Sequence, residues 1–265
     1  MPKLTLGLIG LGNIGTFLAQ AILDRKLPYN LSFVNDLDPG QIAAFRERFP
    51  QLRFEEADLD TLAARSKVIV EAAAAAVVPV IAEKALLAAE QVEASKYLFV
   101  MSVGGLLALS PEFRLRLEGS YLKIIAPSGA IGGLDAFAAL ALAGIDHLRL
   151  TTRKPPSSLG RSDSEPTVVY SGPPAPAFEL YPKNVNVSIT LALSTVGLDR
   201  LEFTLISDPA VAVNVHEIEG AGTAGQDHIR LANTPSPGNP RTSYLAALSI
   251  ISALERFSRN LMVGY

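Results

Sequence analysis

The segment LTLGLIGLGNIGTFLAQAI, residues 4–22, decides the fold that this chain is predicted to adopt. The mostly apolar run from Leu4 to Ile9 is typical of a short buried strand, and a glycine-rich turn follows it from Gly10 to Gly15. After the turn, apolar residues recur at the spacing of one helix face, namely at Phe17, Leu18, Ala21 and Ile22. The segment therefore predicts a strand, a tight turn and a helix, which together begin a βαβ unit.

The three glycines of this turn, Gly10, Gly12 and Gly15, fit the pattern G-x-G-x-x-G. Asp36 lies 21 residues after Gly15, at the end of the next predicted strand, Leu31–Val34. In βαβ units that bind dinucleotides, glycines let a pyrophosphate approach the amides of a helix N-terminus, and a carboxylate at this distance binds the ribose. A turn that only packs the helix against the strand is the alternative, and the placement of Asp36 disfavours it. We expect a dinucleotide to bind at Gly10, Gly12, Asn13, Ile14, Gly15 and Asp36.

Asp36 also predicts which dinucleotide is bound. Its carboxylate can accept hydrogen bonds from the ribose hydroxyls and would repel a 2′-phosphate. The next residue is Leu37, so this position offers no arginine that could pair with such a phosphate. We therefore expect NAD as the cofactor, with NADP less favoured.

The rest of the N-terminal half alternates strands with helices. Strands are predicted at Val68–Val70 and Tyr97–Val100, and helices at Pro39–Phe49 and Val80–Ala89. This alternation is typical of an α/β fold with a doubly wound parallel sheet. We assign residues 1–125 to this dinucleotide-binding domain, which a helical C-terminal segment, residues 240–265, is expected to complete.

After Leu122 the pattern changes to strands in which apolar and polar residues alternate. These strands are Leu148–Arg153, Leu201–Ser207, Val211–Glu219 and His228–Ala232, and helices are predicted at Asp135–Ala143 and Asn186–Val196. Such alternation indicates a sheet with one buried face, so residues 126–239 are predicted to form an α+β domain with a mixed or antiparallel sheet. The Pro-, Ser- and Gly-rich stretch from Lys154 to Pro176 is predicted to be a loop.

The composition excludes several classes of protein. Hydrophobic residues make up 49% of the 265 residues, which excludes a disordered chain, and the formal charge of -3 argues against a nucleic-acid or anionic-membrane partner. The chain has no cysteine, which excludes thiolate metal sites and thiol nucleophiles, and with three histidines we expect no metal site. The longest apolar run, Ala72–Ala82, is well short of the roughly 18 residues that span a bilayer. A cytoplasmic protein is the expectation.

Of the three histidines, His216 is the candidate for proton transfer. It shares a predicted strand face with Asn214 and Ile218, and a flexible stretch, Gly220–Thr223, is expected to follow. An imidazole beside an amide at the open end of a sheet suits acid–base chemistry near neutral pH, and a core histidine bonded to a backbone carbonyl is the alternative. The pattern alone leaves both open. The other two are expected to be surface or capping residues: His147 and His228.

Two further groups of residues could bind a ligand. The turn Gly129–Gly133 could present backbone amides, or it could be only a tight turn between domains. Four basic residues could hold an anionic substrate: Arg153, Lys154, Lys183 and Arg241. Each one alone is more ordinary as a solvated surface charge, and only their clustering at one site would indicate a substrate pocket.

Five longer segments, in this order along the chain, carry a family resemblance. They are Val100–Gly104, Pro127–Asp135, Tyr181–Val187, Asn214–Ile218 and Asn233–Ser243. Together they resemble the L-aspartate dehydrogenases over nearly the whole chain. Two features depart from the family pattern. The segment Ser157–Phe178 is shorter and richer in proline than the family's usual connector, and Arg241 stands where a lysine is expected.

The resemblance implies a Rossmann domain joined to an α+β substrate domain, in a homodimer. It also implies that L-aspartate is oxidised with NAD(P) to iminoaspartate, which hydrolyses to oxaloacetate and ammonia or feeds pyridine nucleotide biosynthesis. The family's catalytic histidine falls on His216, and its nicotinamide-binding alanine and asparagine fall on Ala130 and Asn186. We expect His216 to act as the general base, and the candidates for binding the substrate are Asn214, Lys183 and Arg241.

Two alternative functions stay open. A dihydrodipicolinate-reductase-like imine reductase would have similar domains, although its His-His pair is not found in this sequence. A non-catalytic NAD(H)-binding sensor would also share the fold, since a fold does not guarantee turnover. A semialdehyde dehydrogenase, in contrast, needs a nucleophilic cysteine, and the chain has none.

Overall fold

The computed structural model describes residues 3–25, 27–182 and 184–263, apart from the side chains of residues 239–241. Tertiary contacts divide the chain into two compact units. The first unit runs to Pro127 and takes in Ile250–Asn260, and the second comprises Ser128–Ser249 and the residues from Leu261 onward. Each unit is built around its own sheet.

Up to Pro127, the described residues of the first unit form six strands and five α-helices. The strands are β1 (Leu4–Ile9), β2 (Tyr29–Asn35), β3 (Glu55–Glu56), β4 (Val68–Glu71), β5 (Lys96–Val100) and β6 (Leu122–Ile125). The helices are α1 (Asn13–Asp24), α2 (Pro39–Arg48), α3 (Leu59–Arg65), α4 (Val78–Val92) and α5 (Pro111–Glu118). All neighbouring strands are parallel, in the order β3-β2-β1-β4-β5-β6. The predicted doubly wound sheet is confirmed, and the carboxyl end of β1 lies where the strand order reverses, which is where such sheets bind ligands.

The central strands of this sheet are buried on both faces. All four residues of β4 are buried, and Leu6 and Leu8 of β1 have no exposed surface. Strands covered on both sides need apolar side chains at every position, so these segments appear in the sequence as continuous apolar runs.

The apolar pattern does not predict three short elements of this unit, namely β3, α3 and α5. They bury few side chains, and α5 buries only Phe113. Their helices begin instead at local caps. The Asp58 carboxylate accepts from the Thr61 amide at 2.7 Å, and the Ser110 hydroxyl accepts from the Phe113 amide at 3.1 Å. Capping residues therefore carry the signal that hydrophobic periodicity lacks here.

Up to Asn233, the described residues of the second unit form a five-stranded mixed sheet and three α-helices. The strands are β7 (Ile145–Lys154), β8 (Thr167–Gly172), β9 (Leu201–Ser207), β10 (Asn214–Gly222) and β11 (Gly225–Asn233). The helices are α6 (Leu134–Ala143), α7 (Pro174–Leu180) and α8 (Asn186–Ser194). The strand order is β11-β10-β7-β9-β8, in which β7 and β9 are parallel and the other neighbours antiparallel. The predicted α+β unit with a mixed sheet is confirmed.

One face of this mixed sheet packs against α6 and α8. Alternate residues of β7 and β10 are buried on it, as the period-two pattern predicts. Apolar side chains such as Leu148, Leu150 and Ile218 fill most of the face. At one end, where β7 finishes and β10 starts, the buried side chains become polar: Thr152, Lys154, Asn214 and His216.

Two predicted features of this unit are wrong. The predicted loop Lys154–Pro176 contains β8, an edge strand on β9, because Val168, Val169 and Tyr170 favour extended backbone. The segment Gly220–Thr223, expected to be flexible, is mostly strand, since β10 continues to Gly222 and pairs with β7 and β11. As a result, His216 lies near the start of the interior strand β10, away from the glycine end at which it was expected.

The C-terminal segment begins with a hairpin, β12 (Pro235–Ser236) and β13 (Asn239–Ser243), and then forms α9 (Tyr244–Phe257). The helix is therefore shorter than the predicted helical segment 240–265. The end of α9 belongs to the first unit, where the Phe257 ring contacts the rings of Tyr97 and Phe99 edge-on. No helix within the described ranges is long and apolar enough to cross a bilayer.

Candidate active site

The glycine turn after β1 is built so that backbone, and not side chains, faces the ligand position. Gly10 has a φ of +89°, and a Cβ there would lie 2.6 Å from the Ala72 carbonyl oxygen. A Cβ on Gly15 would lie 2.2 Å from the Gly10 carbonyl oxygen. Both positions therefore require glycine to let the turn close against β4 and α1.

Gly12 differs from the other two glycines, because a Cβ there would meet nothing within 4 Å. It is the N-cap of α1 and brings no side-chain hydrogen bond to the helix amides, and no acidic residue lies in the first turn. The predicted residues Asn13 and Ile14 form that first turn. The space above Gly12 and the open helix N-terminus fit a pyrophosphate, whose negative charge the helix dipole stabilises.

Asp36 lies just beyond β2 and is tied to the glycine turn. Its Oδ2 accepts a hydrogen bond from the Leu11 amide at 2.8 Å, and its Oδ1 accepts one from the Asp38 amide at 3.0 Å. Each carboxylate oxygen keeps lone pairs for further donors, so Asp36 can also accept ribose hydroxyls. The neighbouring Leu37 side chain is fully exposed. The residues predicted to hold the dinucleotide in this unit therefore lie together at the carboxyl end of the parallel sheet.

Glu71, at the end of β4, is a site residue that the sequence analysis missed. Its side chain has no exposed surface, and it accepts hydrogen bonds from the Ala73 amide at 2.8 Å and from the Ser102 amide and hydroxyl at 2.9 Å. Burial raises the pKa of Glu71, and these hydrogen bonds partly offset that effect. Glu71 thus joins the turns after β4 and β5, next to Gly10. An acidic residue that ends an apolar strand was the available signal.

His216 lies on the buried face of the mixed sheet, directly opposite Thr152 in the register of β10 and β7. Its ring is 2% exposed, and Nδ1 lies 3.0 Å from the Thr152 hydroxyl. Burial, and then the charge of Lys154, lower the pKa of His216 to about 3. The imidazole is therefore neutral at physiological pH. When Nδ1 carries the proton and donates to Thr152, Nε2 holds the lone pair that can accept a proton.

Lys154 is one of the four basic residues that could hold an anionic substrate, although each alone was more ordinary as a surface charge. It is 5% exposed, because the alternation of β7 puts it on the same face as Thr152. Its Nζ donates to the Asn184 side-chain oxygen at 2.9 Å. Burial lowers the pKa of Lys154 to about 8. Strand alternation counted from Leu148 and Leu150 would have revealed the burial.

The other predicted residues of this unit surround the same end of the sheet. Asn214 starts β10 on the His216 face and is 9% exposed, and Asn186 is the first residue of α8. The turn that contains Ala130 is held by Asn233, whose amide donates to the Ala130 carbonyl at 2.7 Å. Of the residues predicted to bind substrate, Lys183 lies outside the described residues, as does the side chain of Arg241, whose backbone belongs to β13.

The remaining histidines and Arg153 stay outside this cluster. His147 and His228 are exposed, as predicted, and His228 lies 3.8 Å from Glu219. Arg153 pairs with Asp208 and Glu217, on the opposite face of β7 from Lys154. Among the described side chains, no group of three or more His, Asp or Glu residues could hold a metal ion.

Comparisons with known proteins cover both units. Residues 10–118 match the family described as homoserine dehydrogenase, NAD binding domain, and residues 135–257 match the family described as aspartate dehydrogenase, C-terminal. The L-aspartate dehydrogenase of Methanocella arvoryzae is 35% identical over 98% of both chains, and that of Methanopyrus kandleri is 33% identical over 100% of both. L-aspartate dehydrogenase 3 of Bordetella bronchiseptica is 32% identical over 99% of this chain and 98% of its own.

Solved structures with the same fold include two oxidoreductases. The crystal structure of aspartate dehydrogenase from Thermotoga maritima matches with a TM-score of 0.78 at 24% identity, over 99% of this chain and 100% of that one. The scyllo-inositol dehydrogenase of Lactobacillus casei, solved with NAD(H) and scyllo-inositol, matches with a TM-score of 0.53 at 14% identity, over 99% and 91%. At these identities the matches concern the fold.

Proposed function

The chain belongs to the L-aspartate dehydrogenase family, and from this premise we propose that it oxidises L-aspartate to iminoaspartate with NAD, using His216 as the general base. It is an NAD(P)-dependent oxidoreductase that acts on an amino acid. The observation that carries the proposed mechanism is the neutral, buried imidazole of His216, held by Thr152 at the polar end of the mixed sheet.

The cofactor is proposed to bind at the glycine turn and Asp36, with Ala130 and Asn186 contacting the nicotinamide. Bound NAD supplies the acceptor for the hydride that leaves Cα of the substrate. The Asp36 carboxylate favours NAD over NADP, because a 2′-phosphate beside it would bring two anions together and Leu37 offers no compensating charge. The open space at Gly12 supports this placement of the pyrophosphate.

His216 is proposed to take the first proton. The ammonium group of L-aspartate must lose a proton before the amine nitrogen can drive the hydride from Cα, and Nε2 of the neutral ring accepts that proton. The imidazolium that forms is costly in a buried site beside a lysine, so the carboxylates of the bound substrate are needed to offset its charge. After proton release, the same imidazole can activate the water that attacks the imine, which yields oxaloacetate and ammonia.

Several further assignments are part of this proposal. Asn214, Lys183 and Arg241 are the proposed substrate-binding residues, and Asn214 lies on the same strand face as His216. The resemblance over nearly the whole length supports a homodimer that works in the cytoplasm, where both NAD and free amino acids are available.

The test is turnover measured through NADH absorbance. Purified protein is mixed with NAD and L-aspartate, and separately with NADH, oxaloacetate and ammonia, with D-aspartate as the control for the first mixture. We expect NADH to form with L-aspartate only and to be consumed in the reverse mixture. Tight NADH binding without turnover in either direction would overturn the proposal in favour of a non-catalytic NAD(H) sensor.

A further inference from the structure

Two lysines of this chain are buried to the same degree, and their surroundings differ. Lys96 and Lys154 are each 5% exposed. The ammonium of Lys96 donates to three backbone carbonyls, those of Ala63, Ala64 and Ser66, at 2.8 to 2.9 Å. Its three N–H groups are thus matched by three acceptors, as expected of a lysine with a structural role.

Lys154 has one described acceptor, the Asn184 side-chain oxygen at 2.9 Å. Two acidic residues lie near the end of β7 in the fold, Asp208 and Asp163. Both are paired elsewhere, Asp208 with Arg153 and Asp163 with Arg161. Among the described residues, no ion pair involves Lys154, and none of the undescribed side chains is acidic: Met1, Pro2, Lys26, Lys183, Asn239, Pro240, Arg241, Gly264 and Tyr265. The ammonium therefore lies in the protein interior with two donors left for another partner.

A buried ammonium without a counter-ion is expensive, and proteins retain such a charge where a ligand completes the pairing. Lys154 cannot reach full solvation, since it is almost wholly buried. The burial lowers its pKa to about 8, so the side chain is still mostly protonated at neutral pH. A bound anion would relieve the cost of burial and hold the proton on the lysine.

The position of Lys154 indicates which anion this is. It follows Thr152 by two residues on β7, and Thr152 holds the His216 ring. On the other side, β9 places Ser207 next to Lys154 in register. Because His216 faces Thr152 across the two strands and Lys154 follows Thr152 on the same buried face of β7, the cation and the imidazole belong to one polar cluster. A substrate whose amine meets His216 therefore has its carboxylates within this cluster.

We propose that Lys154 is a substrate-binding residue whose ammonium receives a carboxylate of the amino acid beside the base His216. This inference rests on the proposed function of the same site and adds the cation that selects an acidic substrate. Two consequences follow from the charges. The carboxylate supplies the missing counter-ion of Lys154, and by neutralising it removes the repulsion that opposes proton uptake by His216. Substrate binding thus prepares the base for its own reaction.

The experiment measures binding without turnover, so that it stays separate from the proposed function. Succinate, a dicarboxylate with no amine to oxidise, is titrated calorimetrically into enzyme loaded with NADH. The test variant is Lys154→Met, which keeps length and apolar volume and removes the charge, and Lys123→Met is the matched control on an exposed lysine. We expect the succinate Kd to rise roughly 10- to 100-fold in Lys154→Met, as for the loss of charge-assisted hydrogen bonds, with an unchanged NADH Kd. The control should bind both as wild type does.

Lys154→Arg and a pH series exclude a purely structural role. Lys154→Arg keeps the charge and should retain more of the succinate affinity than Lys154→Met. In the wild type, succinate binding should weaken as the pH rises through about 8, and this dependence should vanish in Lys154→Met. The titratable neighbours keep their charge in this range, because the pKa of His216 is about 3 and that of Asp163, near Ser207, is about 2.

Unchanged succinate affinity in a Lys154→Met protein that binds NADH normally would overturn the inference, whether or not the wild type oxidises L-aspartate. A wild-type enzyme without turnover would overturn the proposed function and leave the binding result to stand alone. If Lys154→Met does not bind NADH, Lys154→Arg decides. A Lys154→Arg protein that loses succinate affinity together with a lowered melting temperature would also contradict the inference.

Discussion

The two sheets of this protein build their candidate sites from different atoms. At the parallel sheet, the missing side chains of Gly10 and Gly15 let the turn close, and that of Gly12 leaves ligand-facing space. Asp36 and Glu71 hold the surrounding backbone. At the mixed sheet, the site consists of buried side chains, with Thr152 and His216 facing each other across two strands and Lys154 two residues away. A backbone-built site depends on local sterics and a side-chain-built site on strand register. Mutation of the side-chain-built site should therefore lower turnover and keep NADH binding, whereas mutation of the backbone-built site should change stability or NADH binding.

The largest expected effect breaks the side-chain-built site alone. His216→Ala should lower kcat for L-aspartate oxidation by roughly 10²- to 10⁴-fold, because the general base is removed. The NADH Kd should stay as in wild type. His147→Ala, on an exposed histidine, is the control and should keep full turnover. Near-normal turnover of His216→Ala would remove the imidazole from the chemistry.

A pair of glycine variants sharpens the account of the backbone-built site. Gly10→Ala should destabilise the protein by on the order of 3 kcal/mol, because φ is positive and the new Cβ would collide with the Ala72 carbonyl. Gly12→Ala meets open space, so its melting temperature should match wild type while its NADH Kd rises at least about tenfold, since the methyl occupies the ligand's path. Thermal melts and NADH titrations measure both. Equal NADH affinity in Gly12→Ala and wild type would mean that the pyrophosphate does not pass over this turn.

The dependence of protein stability on acidic pH tests the side-chain-built site without any ligand. The unfolded chain protonates His216 near its ordinary pKa of 6.5, whereas the folded protein does so only near 3, so between these values the unfolded state binds more protons. Stability therefore falls as the pH drops through this window, by about 1.4 kcal/mol per pH unit from this group.

The measurement compares wild type with His216→Asn, which removes the titrating group. Their melting temperatures are recorded between pH 7 and 4 (roughly the window of the shift). Surface carboxylates contribute equally to both proteins. The melting temperature of the wild type should therefore fall more steeply with decreasing pH than that of the variant. Parallel curves would contradict the buried, neutral state of His216.

The smallest expected effect concerns cofactor choice. Asp36→Ser with Leu37→Arg removes the carboxylate that repels a 2′-phosphate and adds a guanidinium that can pair with it. The ratio of kcat/KM for NAD to that for NADP should fall at least about tenfold, with kcat for L-aspartate nearly kept. A wild-type enzyme that already prefers NADP would contradict the role given to Asp36. The Leu11 amide loses its acceptor in this variant, so a modest decrease in melting temperature is also expected.

Sequence patterns located the long, strongly patterned elements and failed where stability is local or supplied by neighbours. β1 and β9 have the bounds that their patterns predict, because apolar runs and alternation reflect burial directly. β8 was taken for a loop, since an edge strand bracketed by prolines depends on pairing with β9. The site shows the same division. The glycines and Asp36 were found by spacing, whereas Glu71 lacks a motif and Lys154 looked like any basic residue at a strand end.

The amino-acid sequence by itself determined the glycine turn and the alternation of the second sheet, because each follows from steric or periodic rules that act over a few residues. His216 was singled out by the family resemblance of longer segments. Alternation along β7 puts Lys154 on the apolar face, and only the tertiary structure decided that this end of β7 lies beside that histidine. Lys154 is enclosed because the alternation of β7 places it on the buried face of the mixed sheet, and register brings the end of β7 next to the start of β10. Burial and electrostatic coupling are properties of that assembled packing, and they turn an ordinary lysine into a cation that needs an anionic partner.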